Sequence, residues 1–186
     1  MMKTNIVQAH RYQDLIELFN ATFLHTYNTL LVKGDDEPVY LPQGDQQPYH
    51  QILFAHGFYS SALHEIAHWC VASQERRKLV DFGYWYKPDG RNAEEQRIFE
   101  IVEVKPQALE WIFSVAVGFR FRVSADNVGS GLGPSDAFKK RIHQQAVDYV
   151  SHGLPPCAAL FVEQLITFYG REKALTPAAF SLDDLQ

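Results

Sequence analysis

The sequence predicts an α+β fold: a single, mainly helical domain over residues 1–186, with a small β-sheet packed beside a central helix. Several long segments repeat apolar residues at three- and four-residue steps, which is typical of amphipathic helices. Two short apolar or alternating runs end at glycine or proline, as strands do. The chain has 186 residues, 46% of them hydrophobic, which is enough to bury one core without disulfides.

Composition and charge argue against several classes of protein. The net charge of -5 is unsuited to the basic face that nonspecific nucleic-acid binding requires. No apolar stretch approaches the ~18 residues of a membrane span, and the N-terminus lacks the pattern of a signal peptide. Cys70 and Cys157 are isolated and form no CxxC motif. We therefore expect a cytoplasmic protein that binds neither nucleic acid nor membrane.

The first predicted helix covers residues 12–29, in which Leu15, Phe19 and Phe23 recur at helical spacing. Its apolar side is expected to pack in the core. A polar loop follows over residues 34–50 and is rich in glycine and proline. Its length exceeds that of most connections, which indicates a functional role.

A short strand is predicted at residues 52–55, which form a buried run just before Gly57. Ser60 or Ser61 is expected to cap a helix that continues to about Leu79. The basic residues in its last turn suit the negative end of the helix dipole.

Residues 80–86 alternate in polarity and predict a second strand, followed by a turn at 88–90. Residues 93–119 have a helical pattern that contains Pro106. Because proline removes a helical hydrogen bond, we expect a kink or two abutting helices there. The remaining chain predicts a glycine-rich loop at 123–134 and helices at 135–151, 156–169 and 177–185.

The stretch HEIAHW contains the first candidate site. His64 and His68 are four residues apart, so on a helix their side chains point to the same side and one cation can contact both imidazoles. Glu65 follows the first histidine and is the candidate catalytic residue, because a glutamate at this position can act as a base or support a ligand. The alternative is that both histidines are hydrogen-bonded residues of the core.

A third metal ligand is expected from IFEIVEVKPQALEW. Glu100, Glu103, Gln107 and Glu110 follow one another at helical steps and form a polar stripe on an otherwise apolar helix. Glu103 is surrounded in sequence by apolar residues, and a buried carboxylate needs a cation. We choose Glu103 as the third ligand, with Glu100 as the alternative.

The ligand types alone leave the chemistry open. Zinc at this site would activate water for peptide hydrolysis, with Glu65 as general base. Fe(II) held by two histidines and one carboxylate would bind O2 and hydroxylate a C–H bond. A third possibility is a binding module without catalytic activity, in which the metal is structural.

Several other residues are candidate substrate contacts. His56 follows the first predicted strand, and Tyr84, Trp85 and Tyr86 give the second an aromatic face. Aromatic walls with nearby carboxylates would suit a lysine-like side chain. The polar residues that complete this set are Glu100, Gln107 and Asp126, and the acidic run at 35–37 offers further negative charge.

Four segments together resemble the elongation factor P hydroxylase family of gamma-proteobacteria. They are KGDDEPVYLP, FAHGFYSSALHEIAHWC, LVDFGYWYKPDGR and FEIVEVKPQALEWIF. The resemblance extends from about Lys33 to Asn127, and residues 129–186 are much less diagnostic.

The resemblance implies a cytoplasmic, iron-dependent, monooxygenase-like enzyme with O2 as cosubstrate. Its partner would be elongation factor P carrying a β-lysyl-modified lysine, which the enzyme hydroxylates. The family's metal motif falls on His64 and His68, with Glu103 as our choice of carboxylate. The resemblance leaves the role of Glu65 open, because a hydroxylase does not need the general base of a peptidase.

Overall fold

The computed structural model describes residues 9–84, 90–125, 133–172 and 174–185. Helices dominate this part of the chain, and three short strands form one small sheet. The predicted mainly helical α+β class is therefore confirmed. No helix in the described ranges combines the length and the apolar composition that a membrane span would need.

Helix α1, Tyr12–Tyr27, buries Leu15, Phe19 and Phe23, as its spacing predicts. It ends two residues earlier than expected, because Asn28 adopts a left-handed conformation (φ 51°) and donates its N–H to the carbonyl of Leu24. The chain then enters strand β1, Thr29–Lys33, which the sequence analysis did not predict.

The sheet has the order β1-β3-β2, with β2 spanning Val39–Leu41 and β3 spanning His50–Phe54. Strand β3 runs parallel to β1 and antiparallel to β2. The predicted strand at 52–55 is thus confirmed with shifted ends. The segment predicted as a polar loop contributes the edge strand β2, which was missed because it is only three residues long.

Helix α2, Tyr59–Val71, lies next to the sheet and contacts β3. The predicted serine cap is wrong: Phe58 is the N-cap residue, and the Ser61 hydroxyl instead accepts the N–H of Ala55 at 3.0 Å. The helix also ends well before Leu79. The Arg77 guanidinium reaches back to the carbonyl of Trp69, so basic residues do support this helix end, but from a separate turn.

The prediction of a strand at 80–86 is wrong for residues 80–84, the part of this segment that the structure describes. Val80–Gly83 forms a short 3-10 turn in which Asp81 (φ 47°) and Phe82 (φ 56°) are both left-handed. Contacts with Tyr40 of β2 explain the difference, since Asp81 accepts its N–H at 2.8 Å and Phe82 stacks on its ring at 4.2 Å. These tertiary contacts override the alternating pattern.

Helix α3, Ala93–Val117, is continuous through Pro106, so the alternative of two abutting helices is wrong. Asn92 and Glu95 form a capping box at its start, and Gly118 ends it in a left-handed conformation. The helix packs against α2, α4 and α5. This packing on several sides compensates for the hydrogen bond that Pro106 cannot donate.

Helices α4, Asp136–His152, and α5, Pro156–Tyr169, agree with prediction to within a residue. The third predicted helix is replaced by two 3-10 turns, Pro177–Ala179 and Leu182–Leu185. An aromatic cluster in the core joins α1, α2, α3 and α5, and its rings belong to Phe19, Phe23, Trp69, Phe113 and Phe161. This core fixes α2 against α3, where the candidate site lies.

Candidate metal centre

The two histidines of HEIAHW face the same point in space. His64 and His68 lie one turn apart on α2, and their Nε2 atoms are 3.0 Å from each other. Their rings are nearly perpendicular, at 74°. Two ring nitrogens that converge in this way compete for one proton, or they can share one cation.

Glu103 completes the group from the neighbouring helix α3. Its Oε1 lies 3.2 Å from His68 Nε2, and its Oε2 lies 3.5 Å from His64 Nε2. Only 1% of the Glu103 side chain is exposed. One ligand atom from each of the three residues lies within 4.8 Å of the others. The structure thus brings together the three residues that the sequence analysis selected as ligands.

These distances fit a single bound metal ion. Donor atoms held about 2.1 Å from a cation at angles near 90° to 110° lie roughly 3.0 to 3.4 Å apart. The two histidine nitrogens are 3.0 Å apart, and they lie 3.2 and 3.5 Å from the two oxygens of Glu103, close to this range. Imidazole nitrogen and carboxylate oxygen are ligands of Fe(II) and of Zn²⁺ alike. The donor set therefore supports a divalent metal without selecting one.

Glu110 orients one of these histidines. It lies two turns after Glu103 on α3, and its Oε2 accepts a hydrogen bond from His64 Nδ1 at 2.8 Å. A proton on Nδ1 leaves Nε2 free to bind a metal, and such a carboxylate partner also makes the ligand more basic. Glu110 was predicted to lie on the polar stripe, but no role was predicted for it. Its seven-residue spacing from Glu103 could have indicated that both side chains face α2.

The charges of the site depend on one another. Burial opposes ionisation of Glu103, but His68 and then His64 hold the pKa of this carboxyl at about 2. Burial also opposes protonation of His64. The hydrogen bond to Glu110 and the nearby carboxylates nevertheless raise the pKa of this imidazole well above its ordinary value. Glu103 is therefore an anion at neutral pH, as a metal ligand must be.

Glu65 lies beside the ligands without belonging to the group. It lines the same cavity and makes no hydrogen bond or ion pair with any described residue. Burial raises its pKa, the two histidines lower it, and Glu103 and Asp81 raise it further. The net effect is a pKa above the ordinary value for a glutamate, with burial as the main cause.

The group opens into a cavity of about 1010 Å³, at the large end of the range for small-molecule sites. Helices α2 and α3 supply the ligands, and the turn after α2 supplies Asp81, Phe82 and Tyr84. A further wall consists of the segment after α3, with Arg120, Arg122 and Ser124. This wall was not predicted, because its residues belong to no motif.

The predicted substrate contacts have different outcomes. Tyr84 lines the cavity, and the Arg76 guanidinium lies 4.1 Å from the centre of its ring. From the acidic run at 35–37, Glu37 also lines the cavity. Trp85, Tyr86 and Asp126 lie outside the described residues, so their roles stay predictions.

Three other predicted contacts lie elsewhere. His56 is exposed and packs edge-on against Phe58. Glu100 accepts hydrogen bonds from Ser135 at the start of α4 and pairs with Arg141. Gln107, fully buried, is engaged with Glu103 and Ser124. Gln107 therefore contacts Glu103 from within the core and does not line the cavity.

The chain is similar to known proteins along most of its length. The sequence model of a family described as "Elongation factor P hydroxylase" matches residues 18–180. The chain is also 54% identical over 173 residues to the protein named "Elongation factor P lysine hydroxylase" of Haemophilus influenzae. That match covers 93% of this chain and 97% of the relative.

Proposed function

The chain belongs to the elongation factor P hydroxylase family, and we propose that it hydroxylates the β-lysyl-modified lysine of elongation factor P. The observation that carries the proposal is the match along nearly the whole length of a relative named for this activity. The convergence of His64, His68 and Glu103 in the lining of a large cavity supports it.

His64, His68 and Glu103 would hold Fe(II), with zinc as the alternative metal. When bound, Fe(II) supplies the activation of O2 for oxidation of a C–H bond. This makes the protein an oxidoreductase of the monooxygenase type. We also propose that residues 1–186 form one domain. Because the proposed substrate is a translation factor, the reaction would take place in the cytoplasm.

The residues of the chain would prepare this site in separate ways. Glu110 holds the proton of His64 on Nδ1 and so keeps Nε2 available as a ligand. Gln107 donates to Glu103 Oε2 at 3.4 Å and limits rotation of the carboxylate. Glu65 is proposed to hold or release a proton beside the ligands, since its environment raises the pKa of this carboxyl.

The cavity suits a long side chain. Its volume of about 1010 Å³ exceeds what a single lysine needs, as expected for a lysine extended by a second amino acid. Phe82, Phe99 and Phe119 line it with apolar rings, which displace water from the alkyl chain that is to be oxidised. Glu37 and Asp81 place negative charge in the same cavity, where ammonium groups are bound favourably.

The test is a mass measurement on the substrate. Purified protein with Fe(II), O2 and β-lysylated elongation factor P should add one oxygen atom to the factor. The His64→Ala variant should lose this activity, whereas His25→Ala, which changes an exposed histidine on α1, should retain it. If wild-type protein leaves the mass unchanged after transfer from anaerobic to aerobic buffer, the proposal is wrong.

The same reactions separate the other functions considered. Release of peptide fragments that depends on zinc and on Glu65 would indicate a metallopeptidase. Tight binding of the factor without any change in its mass would indicate a binding module. Family membership favours neither of them.

A further inference from the structure

The lining of the cavity includes two arginines from the segment that follows α3. Arg120, Arg122 and Ser124 line the cavity, whereas Phe121 and Ala125 between and after them are buried. From Arg120 to Ser124 the lining residues are every second residue, and Phe119, directly before Arg120, lines the cavity as well. Arg120 and Arg122 thus contribute to the same cavity, and Ser124 follows them.

Buried polar contacts hold this wall in position. The Gln107 side chain accepts the N–H of Ser124 at 3.1 Å and donates to its carbonyl at 2.8 Å, as a neighbouring strand would. Arg91, also buried, donates to the carbonyl of Ala125 at 2.6 Å. Because Gln107 also contacts Glu103, the wall is connected directly to a proposed metal ligand.

The two wall arginines differ from Arg91 in their bonding. Arg91 is engaged with Gln96 and Ala125 and covers the ring of Phe99. Arg120 and Arg122 are exposed, and neither forms a hydrogen bond or ion pair within the described ranges of the chain. The carboxylates that share the cavity thus leave both guanidinium groups available.

We propose that Arg120 and Arg122 form a carboxylate-binding subsite of the cavity. A guanidinium group presents paired N–H donors that match the two oxygens of a carboxylate, and two such groups along one wall would fix both the position and the direction of the ligand. The inference rests on the proposed function. The carboxylate would belong either to a small acid that takes part in the reaction or to an acidic side chain near the target lysine.

Calorimetry without turnover tests the subsite. The Arg120→Gln/Arg122→Gln double variant is compared with Arg97→Gln, which removes an exposed arginine of α3 that pairs with Glu94 and lies outside the cavity lining. Two ligands are titrated: succinate, with the neutral diamide succinamide as its control, and β-lysylated elongation factor P. Loss of a charge-assisted hydrogen bond at each arginine should raise the dissociation constant of the affected ligand by about tenfold or more.

The two titrations distinguish the sources of the carboxylate. Weaker succinate binding in the double variant alone would assign the subsite to a small acid, and weaker binding of the factor alone would assign it to the protein substrate. The Arg122→Lys variant should recover only part of the affinity, because lysine keeps the charge but not the paired donors.

The proposal is wrong if the double variant binds both ligands as Arg97→Gln does. Failure of the proposed function would be seen separately, as wild-type protein that neither binds nor oxidises the factor. The succinate titration would then decide the inference by itself.

Discussion

Replacing Glu110 by glutamine tests whether this residue prepares His64 to bind a metal. The substitution keeps the size of the side chain and removes its charge. In the native protein His64 Nδ1 and Glu110 Oε2 are 2.8 Å apart, and the side chains of His64 and Glu110 are 18% and 10% exposed. The interaction is thus shielded from water on most sides, which makes it stronger than a surface ion pair.

The expected effect on metal affinity follows from this contact. A hydrogen bond to a charged partner contributes about 1.5 to 3 kcal/mol, and a neutral acceptor contributes about half of that. Glutamine can still accept a hydrogen bond from the Nδ1–H of His64, so the loss should be about 0.8 to 1.5 kcal/mol, or about fourfold to tenfold in the dissociation constant. Effects of tenfold to about a hundredfold are usual for residues that support metal ligands.

The assay is a calorimetric titration of metal-free protein with Zn²⁺, a probe that does not require exclusion of oxygen. Glu100→Gln is the matched control, because it makes the same chemical change in another buried glutamate of α3. Glu100 contacts Ser135 and Arg141 and not the histidines, so its replacement should leave the affinity unchanged. The reasoning is refuted if Glu110→Gln binds zinc as tightly as wild type, or if both variants lose affinity equally.

Three further predictions concern stability, each measured by urea unfolding. Gly118→Ala should destabilise the fold by about 1 kcal/mol or more, because φ is +73° and an added Cβ would lie 2.7 Å from the Arg171 guanidinium; equal stability would contradict this. Asn92→Ala should lose about 1 kcal/mol, since its side chain accepts two backbone N–H groups at the start of α3, and an unchanged midpoint would show that the cap is dispensable. Burial, followed by the charge of Arg77, lowers the pKa of His50 in the folded protein. The stability that the neutral His50 imidazole contributes is therefore complete above its unfolded pKa of about 6.5, and it is lost as the pH falls through the lower folded pKa. His50→Gln should therefore reduce the loss of stability between about pH 7 and pH 5, and an unaltered loss would exclude His50 as its cause.

Relations within one helix could be predicted from the sequence. The four-residue spacing of His64 and His68 places both imidazoles on one side of α2, whatever surrounds the helix. The apolar residues around Glu103 indicated a buried carboxylate, and its side chain is 1% exposed. These expectations hold because helical geometry is set locally by the backbone.

The choice between Glu103 and Glu100 could not be settled in this way. The two residues are three positions apart, so they differ by only about 60° around the helix axis. Packing decides which side each one faces: α2 lies against Glu103, whereas α4 covers Glu100. The same packing brings Glu110 to His64, a contact that no local spacing specifies.

By itself, the sequence determined the fold class, the pair of histidines, the polar stripe that supplies their carboxylate, and the resemblance that identified the family. Only the tertiary structure decided where α2 ends, how the turn at Val80–Gly83 is built, and that Arg120 and Arg122 share a cavity with the histidines. The physical reason is the range of the interactions involved. Helical periodicity depends on neighbours within about four residues, whereas the turn and the cavity depend on contacts between segments far apart in the chain.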